Sequence, residues 1–357
     1  MSDMQPLGPA GTASDLTRCP ASHRRVTDGP AGACHTMISE VSLSGGRVDT
    51  VNAAIRKIVT AAFLSATVAG CSVERIAVNM IGNALSGASV YGSDEDPELI
   101  REALPFGLKT YESLLNVSPE HRGLLLSSAR GFAVYAYLLN DEADAIDATD
   151  LVRARTLRAR ASKLFLRGRD YALRGLELSH ANFMDALYRD RAEALAGTTL
   201  EDVPFLYWAG VSWAGALSAA KDDMALIGDL PVAGALVARV LELDETFERG
   251  AAHEFFISYE GGRPGGSAAR ARGHYQRALD ISGNLRASVH LAFAEAVTVK
   301  EQNLAEFRSL IAAALAVDPG RAPELRLVNN IAHRRAQWLE SRIPDLFLDA
   351  DNEEGPV

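Results

Sequence analysis

The chain has 357 residues and a net charge of −10, with 48% apolar side chains and three cysteines. An acidic surface disfavours binding along a phosphate backbone, and so few thiols leave no disulfide framework. The length suffices for a substantial core, as one extended domain or two compact ones.

Residues 1–50 are rich in Gly, Pro, Ser and Thr and show little apolar periodicity. Such a segment buries too little surface to fold alone, so 1–50 is expected to be a disordered or non-translated extension, with Val51 or Met37 as alternative starts. Residues 51–70 read as a lipoprotein signal peptide. In "RKIVTAAFLSATVAGC", Arg56 and Lys57 give a cationic start and Ile58 to Thr67 an apolar run. A signal peptide needs roughly 7–15 such residues, whereas a bilayer span needs about 20. Val68-Ala69-Gly70-Cys71 resembles a lipobox, in which the Cys71 thiol would carry a diacylglyceryl group and serve as lipid anchor. A buried helix that happens to end in cysteine is the alternative. Ser72, rather than Asp, after the cysteine favours transfer to the outer membrane. Residues 71–347 form the expected body, with no further apolar run of spanning length, and 348–357 an acidic disordered tail.

The body reads as helical, because Ala, Leu, Arg and Glu dominate and β-branched alternation is scarce. In "LVRARTLRARASKLFLRGRDYALRGLELS" (151–179), Leu157, Ala161, Leu164, Phe165, Tyr171, Ala172 and Leu176 recur at helical spacing, with arginines on the other face. Five helix ends share one pattern: Leu115 to Ser118, Leu176 to Ser179, Leu241 to Asp244, Leu279 to Ser282 and Leu315 to Asp318, with Pro119 and Pro319 after two of them. Their last residues are 61, 65, 38 and 36 apart. The two shorter gaps approach the about 34 residues of a tetratricopeptide unit, and the longer ones are read as two units each. The fold class is therefore all-α, a superhelix of stacked helical hairpins, each covering its neighbour's apolar face. A generic helical bundle is the alternative.

Along this body, Tyr207, Trp208 and Trp213 form the densest aromatic group. Each is a candidate for a ligand channel or an interface; in an Ala/Gly-rich helix, core packing is the alternative. Lys221, beside Asp222 and Asp223, either attracts a ligand carboxylate in the channel or ends a helix in solvent. Asn329 and Asn330, polar in a helical stretch, pin neighbouring helices or face the channel. His253 beside Glu254 and His274 before Tyr275 lack metal-ligand spacing, and a bond to a backbone carbonyl is expected. "GGRPGGSA" lacks the ending of a phosphate loop and reads as a helix–helix connection. Asp141, Glu142 and Asp144 read as a solvated turn. No cofactor, metal site or catalytic group is expected.

"LYWAGVSWAGALSAAKDD" (206–223), "RGAAHEFFISYEGGRPGG" (249–266), "ARGHYQRALDIS" (271–282) and "PELRLVNNIAHRRAQWL" (323–339) together resemble the TatT component family of tripartite ATP-independent periplasmic (TRAP) transporters. The resemblance covers about 71–347; the loop at 261–266 is shorter than usual, and Ser267 stands where an acid is common. It implies a lipid-anchored periplasmic lipoprotein of tetratricopeptide-like repeats, with a hole through each protomer, assembled as a homotrimer. It also implies engagement of the periplasmic solute-binding protein and a small apolar or carboxylated organic ligand, without catalysis and without nucleic acid. A scaffold lipoprotein of outer-membrane assembly is the alternative. An enzyme such as a cell-wall lyase would need a catalytic module for which the repeats leave no room.

Overall fold

The structure is a computed structural model and describes residues 78–81 and 91–348. The segments expected to be an extension (1–50) and a signal peptide (51–70), Cys71 and residues 349–357 of the expected tail lie outside the described residues. Every regular element among the described residues is helical.

Local chemistry sets the helix starts. Helix α1 (Pro97–Val117) has proline at its first position, and the Asp96 carboxylate accepts the amides of Glu98 and Leu99. It buries Ile100, Leu104, Leu108, Tyr111 and Leu115, one stripe at helical spacing. Helix α2 (Arg122–Ile146) and helix α3 (Leu151–Glu177, begun by Asp150) make a long hairpin. Two short helices follow, α4 (Phe183–Arg189) and α5 (Arg191–Ala196). The next hairpin is α6 (Val203–Ala219) with α7 (Met224–Asp244). Then come α8 (Ala251–Gly262) with α9 (Ala268–Ser282), and α10 (Ala287–Phe293) with α11 (Leu304–Leu315). Helix α10 runs on as a π-helical turn at Ala294–Thr298. Helix α12 (Arg326–Ser341) and the single turn α13 (Ile343–Leu346) end the described chain.

Neighbours follow chain order: α3 packs on α2 and α6, α7 on α6 and α8, α9 on α8 and α10, and α11 on α10 and α12. Even-numbered helices also meet directly, α2 with α6, α8 with α10 and α10 with α12. The last long helix returns to the first. The Leu327 amide donates to the Gly92 carbonyl (3.0 Å), and Arg334 pairs with Glu98 (2.9 Å). Helix α12 also joins two apolar clusters. Its Leu327 and Ile331 enter the larger one, built by α1 to α8, and its Ala332, Ala336 and Leu339 the smaller one, built mainly by α9 to α11. Taken through α7, which bridges α6 and α8, these contacts make a circuit that the ion pairs of Arg335 on α12 with Asp141 and Asp144 on α2 close.

All five sequence patterns mark helix ends. The 61-residue gap, however, is not a pair of units, and the 65-residue gap pairs two short helices with a full hairpin. The 61-residue gap holds one hairpin with arms of 25 and 27 residues, and the 65-residue gap holds α4 and α5 before the α6–α7 hairpin. End signals count helices and carry no information on their length. A second correction concerns α7. At 21 residues and mean hydropathy 1.7 it is long and apolar enough to cross a membrane. In this chain its Val232, Ala233, Leu236, Val237 and Val240 are buried in the core it shares with α6. Gly168 lets three helices converge: a Cβ there would come 2.9 Å from the Ala129 carbonyl and 3.2 Å from the Ser212 hydroxyl.

Candidate ligand-binding site

The inward face of α2 is a polar stripe. Arg130, Val134, Tyr137, Asp141 and Asp144 recur at spacings of four and three residues, which places them on one side of a helix. None of them is classed with the buried core. Opposite stand Tyr207 and Trp208 of α6, Glu254 of α8, Arg286 before α10, Glu295 in the π turn and Arg335 of α12.

Ion pairs tie these walls together. The Arg335 guanidinium meets Asp141 at 3.3 Å, Asp144 at 3.0 Å and Glu295 at 2.7 Å, and lies 4.2 Å from the Trp338 ring. Arg286 binds the Glu254 carboxylate at 2.7 Å and donates to the Glu248 carbonyl at 3.2 Å. Arg130 approaches Glu248 at 3.9 Å and the Trp208 ring at 5.8 Å. Two backbone irregularities deliver acids to this set. The π turn carries Glu295, and π-bulges recur at functional sites. Glu248 and Arg249 have φ of 43° and 58°, a left-handed stretch that continues through Gly250. Such residues cost about 1–3 kcal/mol each unless their surroundings fix them. Here Arg286 holds the Glu248 carbonyl and Glu324 holds Arg249 at 2.5 Å.

Tyr137 is 45% exposed, yet burial pushes its phenol well above the ordinary tyrosine range, and Asp141 adds to the shift. Tyr207, half-buried, is pushed up in the same way, by burial first and Glu248 next. Both rings keep accessible surface between walls joined by ion pairs, and the gap between these walls, called the chamber below, is the candidate site. Tyr137 lies one turn before Asp141 on α2, and Tyr207 packs on Phe247, beside the Glu248 that Arg130 and Arg286 approach. Burial raises the Asp141 carboxyl as well, against the pull of Arg335. For Arg335, burial opposes the charge, but Glu295 and its neighbours outweigh it and hold the group above the usual guanidinium value. Among the described residues neither phenol hydroxyl has a hydrogen-bond partner. Among the described residues the chamber therefore offers aromatic faces and two hydroxyls without partners, and the guanidiniums of Arg130, Arg286 and Arg335 are already engaged by carboxylates.

The expected site residues scatter. Tyr207 and Trp208 meet edge to face at 5.2 Å and line the chamber. Trp213 does not: it is 1% exposed, with Arg169 over its ring at 4.6 Å, and belongs to the core. Lys221 is exposed in the turn between α6 and α7, away from the chamber's ion pairs. Asn329, fully buried, accepts from the Ala287 amide (3.0 Å) and donates to the Leu285 carbonyl (2.9 Å), so it pins α12 to the start of α10. Asn330 donates to the Glu95 carbonyl (2.8 Å) and pins α12 to the N-terminal segment. Replacing Asn329 by Ala should strand both backbone groups and cost about 2 kcal/mol, read as a lower urea midpoint.

Two sequence expectations change. Asp141 and Asp144 are not a solvated turn; they lie in the last turns of α2, where Arg335 draws them inward. His253 does not bond a carbonyl. Its Nδ1 lies 2.9 Å from the His274 Nδ1, so one ring donates and the other accepts. Burial holds both imidazoles below their ordinary value, against the opposing pull of Glu245 on His253 and with the help of His253 on His274. The folded state then binds fewer protons than the unfolded chain. The pair contributes stability above the unfolded value of about 6.5 and loses it as pH falls further. Urea midpoints should drop between neutral and mildly acidic buffer, and His274→Phe should flatten that dependence. Among the described residues no group of three or more His, Cys, Asp or Glu is arranged to hold a metal.

A family model described as "TRAP transporter T-component" matches residues 93–347. The chain is also 27% identical over 312 residues to an uncharacterized protein of Treponema pallidum (strain Nichols), across 79% of this chain and 94% of that protein. The family match covers every helix from α1 to α13.

Proposed function

From the premise that this chain belongs to the TRAP transporter T-component family, we propose that it binds a small organic ligand in the chamber and presents it to a periplasmic solute-binding protein. The family makes it an accessory of a TRAP transporter, on the periplasmic side of a membrane, and the family is not one of enzymes. The reading beyond that rests chiefly on the chamber, where the free hydroxyls of Tyr137 and Tyr207 stand among engaged charges. Hydroxyls without protein partners can bind a ligand's polar group, while Trp208 and Phe247 supply apolar surface around Tyr207. The chain would hang from a lipid on Cys71, with its stacked hairpins forming a homotrimer.

The test is co-purification of the full chain with the solute-binding protein encoded beside it, followed by ligand titration. Each of Tyr137→Phe and Tyr207→Phe should weaken ligand binding by roughly three- to tenfold, the equivalent of one neutral hydrogen bond. No captured partner and no ligand-dependent thermal shift would overturn the reading and favour a scaffold lipoprotein. Labelling with a radioactive fatty acid tests the anchor separately, since Cys71→Ala should abolish it.

A further inference from the structure

Helix α3 has a charge pattern opposite to that of the acidic chain. It carries seven arginines and one lysine against Asp170 and Glu177. Arg158 and Arg169 turn inward, to Asp144 and Asp147 and to Trp213. Arg153, Arg160, Arg167 and Arg174 are exposed and fall at intervals of seven residues. Seven residues are nearly two whole turns, so these four make one stripe of about 30 Å. Lys163 lies beside it, between Arg160 and Arg167, whereas Arg155, also exposed, points about 160° away from Arg153 and lies off the stripe. Neither Lys163 nor Arg155 has a partner among the described residues.

The stripe runs into a surface cleft of about 340 Å³ between α3 and α1, lined by Arg167, Arg174, Lys109, Ser113 and Asn116 around Glu112. Glu112 is the one acid in the lining and is already engaged by Lys109 at 2.9 Å, by Arg167 and by the Tyr171 hydroxyl at 2.8 Å. One turn before Lys109, Phe106 is 81% exposed. The chain that leads from Cys71 arrives at the same end. The Ser118 hydroxyl bonds Asn79 at 2.8 Å, and in the same turn the Pro119 carbonyl accepts from Arg174. Cys71 stands seven residues before Val78, a reach of at most about 25 Å.

We propose that this stripe and its cleft form a docking face for anionic phospholipid, which lays the protein against the leaflet that its anchor occupies. Clusters of four to eight basic residues beside a membrane attract anionic headgroups, at about 1 kcal/mol per charge, and an exposed phenylalanine can enter the headgroup layer. The proposal goes beyond the transporter reading and depends on its Cys71 anchor only for nearness to a membrane.

The test is flotation of the full chain with vesicles of phosphatidylcholine alone or mixed with phosphatidylglycerol, at low and high salt. The leader, where retained, should bind both kinds alike, so the difference between them isolates the charge. The protein should prefer phosphatidylglycerol vesicles by about tenfold or more, and salt should erase the preference. Arg174→Glu with Lys163→Glu reverses two exposed side chains on the stripe, so the fold should survive, as checked by an unchanged melting curve, while the preference disappears. Lys109→Ala with Arg174→Ala should reduce it through the cleft. Indifference of the wild type to phosphatidylglycerol, or full preference in the double charge reversal, would overturn the docking face. So would inorganic phosphate saturating the cleft of a chain that shows no vesicle preference, which would make it a site for a soluble anion. Preference retained without fatty-acid labelling of Cys71 would support the face and refute the anchor.

Discussion

Arg335→Met should lower stability by about 3 kcal/mol, the low end of the cost of stripping one partner from a buried ion cluster. The wild-type side chain is 13% exposed and serves Asp141, Asp144 and Glu295 together. Methionine keeps much of the volume and leaves three carboxylates facing one another. Chamber water keeps the loss from the upper end of the range, because it screens what remains. Arg335 is also the contact between α12 and α2, so its loss should loosen the closure of the circuit. The effect should depend on pH with a definite sign. Without the guanidinium, the clustered acids hold protons more tightly folded than unfolded, so their deficit is relieved as pH falls and grows as pH rises. Urea midpoints of wild type and variant should therefore converge between neutral pH and about pH 4.5, near the ordinary carboxylate values. Arg335→Met with Glu295→Gln should recover part of the loss at neutral pH. A loss below about 1 kcal/mol, the size of an exposed pair, and independent of pH would mean that the cluster is not structural.

Helix identity and most helix ends were legible in the sequence because their causes are local. Apolar periodicity built α3, Ser118 caps the end of α1 just before Pro119, and Asp318 and Pro319 follow the end of α11 and open a 3-10 turn. The site was legible only in part. Arg130, Val134, Tyr137, Asp141 and Asp144 carry the spacing of a helix stripe, but nothing near them names their partner. Arg335 lies 194 residues from Asp141, and only the closing of the circuit brings them together. Read locally, three acids within four residues resemble a solvated turn. The histidines failed for the same reason: His253 and His274 lie on separate arms of one hairpin, and their pairing depends on how α8 and α9 cross. The aromatic group illustrates the limit most directly. Tyr207, Trp208 and Trp213 share one apolar helix with no clear polar face. Five residues separate the two tryptophans, which turns the second about 140° from the first. Composition could not say which side faced the chamber.

That division yields the other large effect. Trp213→Ala should cost about 4 kcal/mol, as for other buried aromatic truncations. Trp213 is among the largest fully buried side chains, with the Tyr188 ring edge-on at 6.5 Å and the Arg169 guanidinium over its face. Its indole Nε1 has no hydrogen-bond partner, and this separates two substitutions that size alone would rank together. Trp213→Phe removes a buried, unbonded donor, whose burial costs about 1–3 kcal/mol. That relief should offset much of the cavity left by the smaller ring, so the phenylalanine variant should lie within about 1.5 kcal/mol of wild type. Free indole should raise the melting temperature of the alanine variant by refilling the void, and should leave the phenylalanine variant nearly unmoved. Ligand affinity gives the complementary measurement. Trp208→Ala, on the chamber wall, should weaken binding while costing little stability; Trp213→Phe should leave binding unchanged. If Trp213→Phe instead abolished binding in a protein with a normal urea midpoint, the chamber would have to extend behind α6, and the boundary between core and site drawn through Tyr207 and Trp208 would be wrong.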